Sequence, residues 1–223
     1  MGSMAKNAFD KNKADINQLW EIHEGFAGAG AGRKRDVEVL NRTAMVFITA
    51  CWESYVEDLA RESFEFMINN VSLARDVPVK VRSLSTKAIF EQKDNTKVWD
   101  IADNGWKAIL IAHKEVALTK WLGNFNTPKS AQVETLFREL LGINSISSGW
   151  HWQRMPNQRA KDKLDEYVTV RGNIAHRTAH NSVVHKSWGT GYLKHIENLV
   201  FCMERDVFGE LKSITGMAPW SMG

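Results

Sequence analysis

Only two cysteines occur in the 223 residues, Cys51 and Cys202. Both sit in apolar helical runs, so they read as buried thiols of a reducing compartment, and no structural disulfide is expected. Long hydrophobic runs are missing too. The most apolar stretch, residues 44–52 (AMVFITACW), falls far short of the roughly 20 residues that cross a bilayer, which excludes a transmembrane helix. The opening Met1-Gly2-Ser3-Met4 lacks a basic segment followed by an apolar one. It reads as a cloning remnant ahead of a natural Met4, and the expected location is cytoplasmic with no membrane partner. Charge of one sign is scarce: the formal net charge is +3, which permits a polyanionic partner without identifying one. No segment keeps an alternation of period two, so no strand is expected, and neither an internal repeat nor a low-complexity block is present.

What is there is helical periodicity. A composition of 43% hydrophobic and 25% charged residues belongs to an ordinary globular chain, long enough to bury a core without disulfides or metal. Leu19, Trp20, Ile22 and Phe26 place a first helix at about 14–26, broken by the Gly/Ala run 27–32. The Arg33-Lys34-Arg35 triplet after it is an exposed helix start able to touch a phosphate. From Asp36 to Asn70 there is neither glycine nor proline. Val37, Leu40, Ala44, Phe47, Cys51, Tyr55 and Leu59 recur there at spacings of three and four, with Met45, Ile48, Trp52 and Val56 as a second stripe. This predicts one long helix that contacts neighbours on more than one face.

Further helices are expected from Pro78 to about Glu91 and over about 105–122, the latter with Trp106, Leu110, Val116, Ala117 and Trp121 inward. Thr127-Pro128 reads as the N-cap and first position of another, closed by Gly142, and two more span about 157–178 and 189–213. The expected fold is an all-α helical bundle of six or seven helices with one long helix. The expected organisation is a tag remnant, first helix and connector over 1–35, one helical domain over 36–215, and a tail over 216–223.

In the helix from Asn157, Leu164, Val168, Arg171 and Ala175 share a stripe, so Arg171 falls on a line that otherwise faces inward. Gly172 follows, costing about 1 kcal/mol relative to Ala inside a helix. Two local rules thus break at adjacent residues, the pattern expected where function or close packing overrides folding preference. His176 lies five residues on, about 140° around an ideal helix and about 7.5 Å along it, so the two side chains can border one groove without forming a tight pair. If two subunits pack these helices together, each groove receives an Arg and a His from both chains. An imidazole near neutrality can take a proton from a ribose 2′-OH or give one to the departing 5′-oxygen, and guanidinium groups can stabilise the charge on phosphorus. No cofactor and no metal is needed. The spacing alone arises by chance roughly once in such a chain.

The surrounding text carries more. Residues 118–128 (LTKWLGNFNTP), 133–143 (VETLFRELLGI), Trp150-His151-Trp152, and 164–177 ending in Arg171-Gly172-Asn173-Ile174-Ala175-His176-Arg177 resemble the RiboL-PSP type of HEPN domain in order and spacing. Residues 51–59 (CWESYVEDL) resemble that family's aromatic-acidic segment. The likeness covers about 36–212. It implies a helical bundle that dimerises and acts as a metal-independent endoribonuclease of toxin–antitoxin or antiviral defence systems, with RNA, a second copy, and a cognate antitoxin or defence-system protein as partners. Arg171, His176 and Asn173 would then be catalytic. The pattern departs at Gly172, where the family usually has a polar residue directly after the Arg, and Asn173 comes one place later. Members that lost the motif serve as non-catalytic modules binding RNA, nucleotide or a regulatory protein, and that remains the alternative.

Several residues carry two readings. Arg171 is either a phosphate ligand or half of a buried salt bridge to Glu53 or Glu57, which in the first reading support it. Trp152, Arg154, Arg159 and Arg177 are RNA-binding candidates, while Trp150 and Trp152 alternatively pin their loop to the core. His176 and His180 would need a third ligand such as His185 to hold zinc, and none is identifiable. His113, on an apolar face, reads as a core histidine.

Overall fold

A computed structural model describes residues 2–27, 37–91, 95–103, 105–123, 125–175 and 184–221. Its described residues form seven α-helices: α1 (Met4–Ala27), α2 (Glu38–Asn70), α3 (Val79–Phe90), α4 (Gly105–Leu122), α5 (Ser130–Leu141), α6 (Asn157–Ala175) and α7 (Lys186–Thr215). The one extended feature among them is an isolated bridge between Trp152 and Met155. The chain is an all-α bundle as expected, and no described helix is long and apolar enough to cross a membrane.

The central element is α2. Both of its predicted stripes are buried apart from the partly exposed Leu40 and Phe47, with Met45, Ile48, Trp52, Val56 and Leu59 at 0% exposure, because neighbours cover it on several sides. Helix α7 lies parallel to it: Asn41 donates to the Val184 carbonyl at 2.9 Å, the Thr49 and Tyr192 hydroxyls bond at 3.0 Å, and Tyr55 donates to the Val200 carbonyl at 3.2 Å. Helix α6 runs antiparallel to α7, with Tyr167 stacked on Tyr192 at 4.2 Å and His195 bonded to the Ala160 carbonyl at 3.0 Å. Burial drives the His195 imidazole down to about 4, so it stays neutral in the core. Cys51 and Cys202 are buried free thiols.

Helix α1 begins ten residues earlier than its apolar pattern alone indicates. Ser3 is its N-cap: its hydroxyl accepts from the Lys6 N–H at 2.9 Å and donates to Glu204 at 2.5 Å. Glu62 accepts from the Met4 and Ala5 N–H groups at 3.0 and 3.1 Å. Two carboxylates thus answer the orphan donors and positive end of the helix. Phe9, Ile16 and Trp20 then bury along one line, Phe9 meeting Tyr55 edge-on at 5.9 Å.

Helix α5 begins later than Thr127-Pro128 suggests. Thr127 is exposed, and the capping acceptor is Asp165 of α6, which takes the Ser130 N–H at 2.7 Å and its hydroxyl at 3.0 Å. Pro128 instead offers its carbonyl to the Trp52 indole at 2.9 Å. Gly142 closes α5 as expected, in the left-handed region at φ 71°. On α4, Leu110, Ala117 and Leu118 are buried. Val116, expected inward, is 65% exposed, since six residues beyond Leu110 it sits about 120° off the buried line.

Candidate functional site

Arg171 lies in the last two turns of α6, partly buried, with a buried Nε that has no hydrogen-bond partner. Two groups from other helices surround it. Tyr192 of α7, its hydroxyl bonded to Thr49, is raised well above the ordinary phenol range by burial and is pulled back by the Arg171 charge. Glu53 of α2, one turn beyond Thr49, is raised by burial and likewise lowered by Arg171. Among the described residues Arg171 forms no ion pair, so the buried salt bridge to Glu53 or Glu57 is not made.

Glu57 stands one turn beyond Glu53. Burial pushes its carboxyl up to about 7, and the negative charges of Glu53 and Asp58 push the same way against Arg61. A carboxyl so placed exchanges its proton near neutrality. Beside Arg171, α2 therefore supplies one acid, Glu53, whose charge the guanidinium favours, and one turn further along the same helix Glu57 titrates close to pH 7 under other charges.

Next to Arg171 none of the described residues crowds the helix. A Cβ added at Gly172 would meet nothing within 4 Å. Among the described residues none packs closely against this glycine, so function stands as a reason for its helix-breaking cost. Asn173 is exposed. His176, Arg177 and His180 lie outside the described residues, as does the Arg33-Lys34-Arg35 triplet.

The other sequence-identified residues sit at the far end of α6. Trp150 is a core residue at 0% exposure, packed edge-on against Trp52 at 6.2 Å. Trp152 is half-buried, 5.2 Å from the His195 ring. Arg154 and Arg159 are exposed, and Arg154 has a φ of 61°. Twelve residues of helix, roughly 18 Å, separate Arg159 from Arg171. The structure thus brings Glu53 to Arg171 at one end of α6 and leaves Trp152, Arg154 and Arg159 at the other, with Glu57 one turn beyond Glu53 on α2.

Tyr192 and Thr49 went unidentified as site residues in the sequence. The detectable signal was the polar pair itself, a Thr and a Tyr hydroxyl each on an apolar stripe and each in need of a partner.

The family model described as RiboL-PSP-HEPN matches residues 8–207. Comparisons with curated proteins and with solved structures give no match.

Proposed function

The chain belongs to the RiboL-PSP-HEPN family, and from that premise we propose that it is a metal-independent endoribonuclease acting as a homodimer. Arg171 binds the scissile phosphate and stabilises the charge that builds on phosphorus. His176 moves the proton: it takes one from the ribose 2′-OH as that oxygen attacks phosphorus, or gives one to the 5′-oxygen as the P–O bond breaks. The products are a 2′,3′-cyclic phosphate and a 5′-hydroxyl. Asn173 adds a hydrogen bond to the phosphate, and the Glu53 carboxylate offsets the Arg171 charge from α2 without an ion pair.

One observation carries this reading. A guanidinium on the inward stripe of a helix, with a buried Nε lacking any partner, is costly unless a ligand completes it. A phosphate oxygen supplies the missing acceptor. The second subunit enters because residues five apart, as Arg171 and His176 are, would stand about 140° apart on an ideal helix, while no described residue lies within 4 Å of a Cβ at Gly172, leaving room for another helix. The family extends the proposal to a cytoplasmic effector of toxin–antitoxin or antiviral defence, held silent by an antitoxin or a defence-system protein.

The test is cleavage of mixed RNA in EDTA by the parent, Arg171→Ala and His176→Ala. Each substitution is expected to remove at least about a hundredfold of rate. Mixing the two inactive variants should restore part of the activity if each groove draws on both chains. Variants that cut as well as the parent would refute the reading. Gly172 in place of the family's polar residue favours a second reading, a non-catalytic module that binds RNA, nucleotide or a regulatory protein. RNA binding without cleavage, unaffected by His176→Ala, would select it.

A further inference from the structure

Some cations of this chain are paired and others are not, on α6 as elsewhere. Lys13, Lys80, Lys114, Lys161, Lys186 and Arg205 each reach a carboxylate at 2.5 to 3.3 Å. Arg154, Arg159, Lys163 and Arg171 reach none among the described residues, and all four lie on α6 or the turn leading into it. Of the nearby acids, Asp165 caps α5 and Asp162 accepts from Gln158 at 2.8 Å, while the exposed Glu166 pairs with none of these cations among the described residues.

A ladder of rings fills the seam between α6 and α7 beside these cations. Trp188 meets Tyr167 edge-on at 5.4 Å, Tyr167 lies 5.9 Å from His195, and His195 lies 5.2 Å from Trp152. The Lys163 ammonium stands 5.6 Å over the Tyr167 ring. The inner rungs are closed, with Tyr167 and His195 each 3% exposed. The two end rungs are open: Trp188 is 36% exposed and Trp152 is half-buried. Two indoles braced by the same ladder therefore face solvent about 10 Å apart along α7, with free cations along the rim.

The turn before α6 adds to this arrangement. Trp152 and Met155 exchange backbone hydrogen bonds at 3.1 and 2.9 Å, forcing Arg154 into the left-handed region that L side chains avoid. Arg154 is exposed, two residues along the chain from Trp152.

We propose that the α6–α7 seam binds single-stranded RNA, with Trp188 and Trp152 stacking on bases and Lys163, Arg159 and Arg154 holding phosphates. The strand is led along α6 toward Arg171, and this last step alone rests on the ribonuclease reading above. Aromatic platforms flanked by cations select unpaired strands, because a base must leave its stack to lie on an indole. A duplex offers the phosphates without free base faces.

The test uses the full chain and a fluorescent ten-nucleotide 2′-O-methyl RNA, which lacks the attacking hydroxyl and so reports binding without cleavage. The triple variant Arg154→Glu/Arg159→Glu/Lys163→Glu should bind at least about tenfold more weakly, and the slope of log affinity against log salt should flatten by about 2, three phosphates at roughly 0.7 each. Trp188→Ala should weaken binding roughly tenfold. Glu166→Lys, adding a cation to an exposed position one turn beyond Lys163, should tighten it, a gain that misfolding cannot produce. The control Lys107→Glu/Lys129→Glu/Lys212→Glu makes the same charge change away from the seam and should have the smaller effect.

Equal weakening by the two triple variants, or equal binding of a hairpin duplex, would overturn the proposal. Tighter binding of the matching DNA strand would overturn the assignment to RNA. If the parent cuts RNA while the seam variant binds and cuts like it, the seam fails and the ribonuclease reading stands. If nothing is cut but binding follows the seam residues, the reverse holds.

Discussion

The carboxylate of Asp165 on α6 accepts both the backbone N–H and the hydroxyl of Ser130, at 2.7 and 3.0 Å, so the helix that carries Arg171 is tied to the first turn of α5. An acid on one helix thus does for another what a local Ser or Thr usually does, satisfying an orphan donor and the positive end of the dipole. Asp165→Ala is expected to lower stability by about 1–2 kcal/mol. Urea unfolding of the two proteins measures it, and an unchanged midpoint would show the cap to be idle.

Gly172 separates two roles by the sign of the change. Because a Cβ there meets nothing, Gly172→Ala should raise the stability of the isolated chain by up to about 1 kcal/mol through helix propensity. The same methyl on a face kept open for RNA or a second copy should reduce cleavage. Higher melting temperature with lower activity is the expected pair of results; higher activity would argue that the bare face serves neither.

Glu57 gives the fold a pH dependence of defined sign. Its folded carboxyl is raised from 4.5 to about 7, first by burial and then by Glu53 and Asp58. The folded state therefore holds the proton more tightly than the unfolded chain, and this group's contribution falls as pH rises from about 4.5 through about 7. Glu57→Gln should remove that fall, raising the melting temperature at pH 8 relative to the parent more than at pH 5. A variant whose melting curve tracks the parent at every pH would contradict the environment described for Glu57.

Gly142 should tolerate no side chain. Its φ is 71°, and an added Cβ would lie 2.4 Å from the Pro78 Cβ. Gly142→Ala is expected to cost about 2 kcal/mol or more, from left-handed strain and overlap together. Chemical denaturation checks this.

Much of the fold was legible because it follows from local periodicity. The two stripes of α2 required neighbours on several sides and have them, α4 spans the predicted 105–122, and Gly142 ends α5. The failures are tertiary. The start of α1 depends on Glu62 and Glu204, and that of α5 on Asp165, 35 residues away from Ser130. No window around Ser3 or Thr127 contains those acceptors.

The candidate site divides the same way. Arg171 was legible as a charge on an apolar stripe. Glu53 was legible as a candidate acid for it, but Tyr192 and Thr49 were not, since two other helices, α7 and α2, bring that pair together. The paired Trp150 and Trp152 read alike in sequence, yet one is a core rung against Trp52 and the other opens to solvent beside His195. Two residues of chain separate core from surface there, below what periodicity resolves in a loop.

The most direct measurement is the chemistry of the cut ends. RNA incubated with the parent in EDTA, then resolved by mass spectrometry, should carry 2′,3′-cyclic phosphates and 5′-hydroxyls, with both lost in Arg171→Ala and in His176→Ala. Fragments ending in 3′-hydroxyl and 5′-phosphate, or the same cyclic ends from the His176→Ala protein, would contradict a ribonuclease built on these two residues.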